Sequence, residues 1–217
     1  MTIIACVRTG ERYGMEYVTK LRNMVSRCFP QKHRMVCLTD QPDRCSDVDF
    51  VDVTALDLKG WWAKMALFAP EWRGQEKVIY LDLDTVLINE ITPLAGVPGE
   101  FSICENFTRL HGRTSYPCKY NSSVMVIGGG KCSFVWDRFD RDRHRLLSKH
   151  ERYGDQAAIE ELYPDAPFLQ RFVPEGFFVN YRLLTMIKPR LPAAVINFGG
   201  SNKPENCSIP WVRESWL

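Results

Sequence analysis

The chain has 217 residues, 45% apolar and 25% charged, and its 28 Lys and Arg against 26 Asp and Glu leave a formal net charge of +2. Such a balance excludes a disordered polyelectrolyte and gives no long-range pull toward nucleic acid or an acidic membrane. The length suits a single domain, 1–217, with a full core, and no run reaches the roughly 20 apolar residues of a membrane span.

In chain order, Thr2 to Val7 reads as a short apolar strand. With no basic leader before it, the N-terminus is expected to be a strand and not a signal peptide, which implies a cytoplasmic protein. Tyr13 to Cys28 carries Met15, Val18, Leu21, Val25 and Cys28 at helical spacing before Phe29-Pro30 ends it. Arg34 to Leu38 and Phe50 to Val53 read as strands, and Trp61 to Phe68 as a short helix stopped by Pro70. Lys77 to Leu81 is too continuously apolar for a strand with one wet face, and belongs mid-sheet. Phe101 to Cys104 and Ser123 to Ile127 are further strands, the second ending at Gly128-Gly129-Gly130, with a long polar loop containing His111 between them. Asp137 to Arg152 mixes both signs of charge around Phe139, Leu146 and Leu147, the pattern of one amphipathic helix with a solvated face. Strands alternating with helices predict an α/β fold whose mostly parallel central sheet is flanked by helices on both faces.

Eight cysteines occur without a Cys-x-x-Cys pair, several of them inside apolar runs, and are expected to be reduced core thiols. The Asn-x-Ser/Thr triplets at Asn106, Asn121 and Asn206 are accordingly expected to be unglycosylated.

The most informative segment is Val78-Ile79-Tyr80-Leu81-Asp82-Leu83-Asp84-Thr85-Val86-Leu87, a buried strand that releases two carboxylates as it leaves the sheet. Ligands of open α/β sheets bind at the carboxyl ends of strands. Residues i and i+2 of an extended chain point the same way, so Asp82 and Asp84 can converge on one hard cation such as Mg²⁺ or Mn²⁺, which can neutralise a diphosphate. Alternatively, the two acids only start a turn.

Two chemistries share this pattern. Asp82-Leu83-Asp84-Thr85-Val86 matches the nucleophile motif of haloacid-dehalogenase-type phosphatases. In that family, however, the motif sits on the first core strand, and here Ile159 stands where a later acid would follow Gly154-Asp155. The chain also resembles the GT-A glycosyltransferases, in particular family eight and similar small bacterial and phage proteins. In that family an Asp-x-Asp follows a Val-Ile-Tyr-Leu strand after a nucleotide-binding first half. Asn121-Ser122-Ser123-Val124-Met125 is similar to its Asn-Ser-Gly-Val-Met strand entry, and Gly154-Asp155-Gln156 to its Asp-Gln helix start. Asn197-Phe198-Gly199-Gly200-Ser201-Asn202-Lys203-Pro204 resembles its His-Phe-x-Gly-x-x-Lys-Pro loop. Gly60-Trp61-Trp62-Ala63-Lys64 and Pro210-Trp211-Val212 also look like this subgroup. The matches span nearly the whole chain in the family's order.

The resemblance implies a metal-dependent transfer of a sugar from a nucleotide diphosphate, a UDP-sugar foremost, to an acceptor hydroxyl with retention of configuration. It makes Asp82 and Asp84 metal ligands for Mn²⁺ or Mg²⁺, with Asp82 also facing the donor, and Lys203 beside Gly200 a cation for the phosphates. Val7, Arg8, Thr9 and Tyr13 fall where the family binds the nucleoside, with Asp40 a further ribose candidate, and Lys64 falls where it often has a basic residue. Asn121, Asp155 and Gln156 would face the reacting sugar. One departure stands out: the family's third metal ligand is a His, and this chain has Asn197, a poorer ligand. Trp61, Trp62, Trp211 and Trp216 either frame a sugar site or fill the core. A non-catalytic nucleotide-sugar or carbohydrate-binding module on the same fold is the other reading. The expected partners are a nucleotide-sugar donor and a glycan, lipid or protein acceptor, with no nucleic acid and no transmembrane span.

Overall fold

A computed structural model describes the chain apart from residues 44, 70, 71, 73, 75, 111, 113, 114, 130 and 131, so Pro70, His111 and Gly130 lie outside the described residues. The strands are β1 (Thr2–Arg8), β2 (His33–Thr39), β3 (Asp49–Asp52), β4 (Lys77–Leu81), β5 (Val86–Leu87), β6 (Phe101–Glu105), β7 (Tyr120–Ile127), β8 (Phe178–Asn180) and β9 (Val195–Asn197). The helices are α1 (Met15–Cys28), α2 (Phe107–Leu110), α3 (Ser133–Arg141), α4 (Arg143–Lys149), α5 (Asp155–Leu162) and α6 (Pro210–Ser215).

Six strands form the main sheet in the order β3-β2-β1-β4-β7-β6. β3, β2, β1 and β4 pair in parallel, and β7 alone runs against its neighbours β4 and β6. The two-residue period of a strand divides the sheet's apolar side chains between two cores. Ile4, Cys6, Ile79 and Leu81 face a core completed by α1, β5, β9 and α6. Ile3, Ala5, Val7, Val78 and Tyr80 face the other, completed by α3, α5 and the segment around Phe68. The centre of the sheet is therefore dry on both sides, as the unbroken apolar run in β4 predicts. α1 buries Tyr17, Val18, Leu21, Met24, Val25 and Cys28, one stripe at three- and four-residue spacing. Among the described residues no disulfide joins the eight cysteines, and six of them are buried.

Three features differ from the sequence expectation. Gly60–Phe68 forms a 3-10 helix. Met65 to Phe68 are buried in succession, a run that follows no one-sided α-helical period. The single helix expected over Asp137 to Arg152 is two, α3 and α4, broken at Asp142, which caps the first and opens the second in a non-helical conformation. Finally, a small second sheet, β5-β9-β8, closes one side of the molecule. Its two- and three-residue strands are too short to show a period in sequence.

Candidate active site

The carboxyl ends of β1, β4 and β9, the start of antiparallel β7 and the N-terminus of α5 surround a cleft of about 750 Å³. β4 releases Asp82 and Asp84 into it, with Asp82 N bonded to Ser123 O at 2.9 Å and Thr85 N to Asp82 O at 3.0 Å, so the turn carrying both acids is fixed to β7. Val7, Thr9, Tyr13, Lys64, Asn121, Asp155, Gln156, Gly200 and Lys203 line the same cleft.

Each acid meets a cation from a distant part of the chain. The Lys64 ammonium lies 2.7 Å from Asp82 Oδ1 and 3.9 Å from Asp155 Oδ2, and donates to Ser122 Oγ at 3.3 Å. Burial alone would push that ammonium toward deprotonation; Asp155 and Asp82 reverse the effect and hold its pKa above the usual lysine range. Tyr80, buried in β4, donates its hydroxyl to the same Asp82 oxygen. Across the cleft, Lys203 pairs with Asp84 Oδ2, which also accepts the Tyr13 hydroxyl at 3.1 Å, and Lys203 donates to Tyr13 Oη at 2.8 Å. Burial and the nearby Asp82 raise the Asp84 pKa, with Lys203 acting against them. Asp155 is raised by burial, opposed by Lys64, and its Oδ2 has no hydrogen-bond partner among the described residues. Burial and the Asp84 charge raise Tyr13.

Gly154, at the entry to α5, has φ +66°, and a Cβ there would stand 2.6 Å from Trp61 Nε1. Only glycine lets this indole lie against the helix start. Trp61, 46% exposed, and Trp62 line the cleft, whereas Trp211 and Trp216 belong to the core.

Three of the expected site residues, Arg8, Asn197 and Asp40, lie outside the cleft lining. Arg8 turns to the opposite face from Val7 and Thr9, donating through Nε to Tyr13 O at 3.1 Å and through its guanidinium to Gln41 at 3.2 and 3.3 Å. It braces the loop that carries Tyr13. Asn197, 2% exposed, sits beneath the cleft floor with Oδ1 3.1 Å from Ser123 Oγ, and its Nδ2 has no partner among the described residues. Asp40 likewise serves structure, accepting the Gly10 N–H at 3.0 and 3.1 Å. Residues that the sequence did not point to include Arg12, Lys59, Tyr116, Glu151, Arg152 and Tyr153, which complete the cleft wall. All six lie in turns and loops, where no periodicity announces direction. Tyr80 could have been found, since it shares the parity of Asp82.

A divalent cation would find oxygen donors here in Asp82 and Asp84. Among the described residues no group of three or more His, Cys, Asp and Glu could hold a metal ion. Two carboxylates completed by water and substrate phosphates are nevertheless a sufficient set for Mg²⁺-like ions, so the donor chemistry fits.

No protein family matches the sequence, and no curated protein does. Solved structures do match the fold. A galactosyltransferase, LgtC, in complex with donor and acceptor sugar analogs superposes with a TM-score of 0.73 over 98% of this chain and 93% of its own, at 15% identity. The fold is that of the GT-A glycosyltransferases. An active-site Gln-to-Glu variant of LgtC matches with a TM-score of 0.70 at 14% identity, over 98% of this chain and 93% of that one. The glycosyltransferase GlyE of Streptococcus pneumoniae TIGR4 matches with a TM-score of 0.66 at 15% identity, over the whole of this chain and 60% of its own. The α/β architecture expected from the sequence is thereby established. No helix among the described residues is long and apolar enough to cross a membrane.

Proposed function

We propose that the chain transfers a sugar from a nucleotide diphosphate, a UDP-sugar foremost, to an acceptor hydroxyl with retention of configuration. The observation that carries this reading is the meeting of Tyr13, Asp84 and Lys203, which come from three distant segments to one point at the carboxyl edge of a GT-A sheet. Such a cluster of one acid, one cation and one phenol in a cleft suits a ligand carrying phosphate and ribose.

Val7, Thr9 and Tyr13 form the wall for the nucleoside, with Arg8 holding the Tyr13 loop in place. Gly200, at φ +66°, lets the backbone turn close to the phosphates, and Lys203 supplies a cation to them. Asp82 and Asp84 would hold Mn²⁺ or Mg²⁺, which supplies charge neutralisation for the departing diphosphate. Asn197 supports Ser123 and Asn121 from below. Asn121, Asp155 and Gln156 face the sugar: the anomeric bond to phosphate breaks with its electron pair going to the diphosphate oxygen, the acceptor oxygen bonds to the anomeric carbon on that same face, and the acceptor proton passes to the departing diphosphate. Lys64 pairs with Asp82 and Asp155 and holds the two carboxylates in place. The active-site glutamine altered in LgtC has a counterpart in kind here, since Gln156 is the one glutamine lining the cleft among the described residues.

The test needs no acceptor. Purified protein with Mn²⁺ is incubated with UDP-, GDP- and dTDP-sugars, and the released nucleotide is counted. Slow donor hydrolysis, abolished in Asp84→Ala, is expected. Failure to bind any nucleotide sugar, by calorimetry with and without metal, would remove the proposal, and tight binding without turnover toward water or a broad acceptor panel would favour a binding module.

A further inference from the structure

Away from the cleft, the connection from β8 to β9 carries an unusual surface. Leu183, Met186, Ile187 and Leu191 are 55, 69, 80 and 75% exposed, four large apolar side chains within nine residues. Arg182, Lys188 and Arg190 are interleaved with them and also exposed, and residues 176–204 contain no Asp or Glu. The loop is held in this shape. Leu184 packs against the core, and Trp211 Nε1 donates to Thr185 O at 3.1 Å. Thr185 Oγ1 and the Ile187 backbone exchange hydrogen bonds of 3.2 and 3.3 Å, which turn the Met186-Ile187 tip outward, and Ala193 N closes on Arg190 O at 3.1 Å. Buried anchors thus present exposed apolar side chains, the reverse of a loop that is merely uncovered.

We propose that this loop is a docking element for an anionic lipid surface. A clustered apolar patch marks an interaction site, and the mixture here identifies the partner. A groove on another protein would have to match three interleaved cations with acids while burying four apolar side chains. The headgroup region of an anionic bilayer does both at once, taking the apolar tips toward the acyl boundary while the cations remain among phosphates. The chain's overall charge of +2 exerts no such attraction, so the affinity is local to this loop. At its root, Tyr181 stacks on Phe198 of the cleft wall with centroids 5.5 Å apart and planes 15° apart. Docking therefore brings the cleft's edge to the lipid, whatever reaction the cleft performs.

The experiment is sedimentation of the full chain with vesicles of phosphatidylglycerol and phosphatidylcholine in equal parts, against vesicles of phosphatidylcholine alone. Binding to the anionic vesicles is expected, weakened by added salt and by roughly fivefold for each cation removed in Lys188→Ser and Arg190→Ser. The triple variant Met186→Ser, Ile187→Ser, Leu191→Ser should lose binding while keeping the wild-type circular dichroism, since none of these side chains is in the core. Equal partition to neutral and anionic vesicles would overturn the proposal, as would full binding by the triple variant. So would a self-association, measured by analytical ultracentrifugation without lipid, that the triple variant abolishes, because the patch would then be an interface between copies.

Discussion

Replacing Lys64 by Met tests the charge arrangement beneath the cleft. The ammonium is 2.7 Å from Asp82 Oδ1 and 3.9 Å from Asp155 Oδ2, with Asp155 almost fully buried. At an effective dielectric of about 20 these separations correspond to gross attractions of about 6 and 4 kcal/mol. Desolvating the ions offsets much of that, and removing one partner from a buried pair typically costs about 3–5 kcal/mol, because the remaining charge is left uncompensated. Met fills the volume of the lysine stem, so little of the loss can come from a cavity. The pH dependence identifies the mechanism. Asp155 already has a raised pKa, chiefly through burial, and losing Lys64 raises it further. A carboxyl whose folded pKa exceeds its unfolded value contributes most to stability below the unfolded value, about 3.9 for Asp, and loses that contribution as pH rises through the folded one. The deficit of the variant, measured by urea unfolding, should therefore be large at neutral pH and shrink on acidification. A deficit under about 1 kcal/mol, in the range of an exposed pair, would refute the reasoning. So would one that is constant between neutral and acid pH.

Mn²⁺ and UDP should bind cooperatively. Asp84 is engaged by Lys203 in the unliganded protein, and a diphosphate gives that ammonium another partner, so UDP should tighten Mn²⁺ binding by roughly tenfold in calorimetric titrations; equal Mn²⁺ affinity with and without UDP would contradict this. Lys203→Ala should erase the coupling and lower donor turnover more than donor affinity, because the cation meets phosphate charge that grows as the anomeric bond breaks. On α5, outside the cleft lining, burial would raise Glu161, but hydrogen bonds from Lys149, Arg145 and His150 pull its pKa down to about 2. A depressed carboxyl contributes stability above its unfolded pKa, about 4.3 for Glu, and loses it as pH falls toward the folded value. Glu161→Gln should thus cost about 1 kcal/mol at neutral pH, and the difference in thermal midpoint should close on acidification.

The legible parts of the sequence are those where periodicity fixes direction. The unbroken run of β4 located the sheet centre, but strand parity does not account for both acids: β4 ends at Leu81, and Asp82 and Asp84 reach the cleft from a turn that Thr85 N closes on Asp82 O. Parity does separate Val7 and Thr9 from Arg8, and explains why the guanidinium braces Gln41 and the Tyr13 loop. Asn197 was harder to place. In a three-residue strand with Val195, Ile196 and Asn197 all buried, no alternation tells cleft from core. The wall formed by Trp61, Tyr116, Arg152 and Tyr153 was legible only in part, through the Trp61-Trp62 pair. These residues meet across loops whose approach depends on Gly154, and tertiary contacts of that kind leave no local pattern.

The position of β4 explains why one short motif can organise the site. Its apolar residues face cores on both sides of the sheet, Ile79 and Leu81 toward α1, Val78 and Tyr80 toward α3 and α5. Neither core can relax without moving the strand, so the carboxylates at its end inherit the stiffness of both. The cations are held otherwise. Lys64 comes from a 3-10 segment anchored in one core, and Lys203 from a glycine-containing loop after β9, which closes the other. Fixed acids facing cations from separately supported segments can exchange partners without disturbing the sheet. The proposed reaction, which takes in a charged donor and releases a more highly charged product, would draw on that freedom at Lys203, whose loop carries two glycines, Gly199 and Gly200, with open space around both.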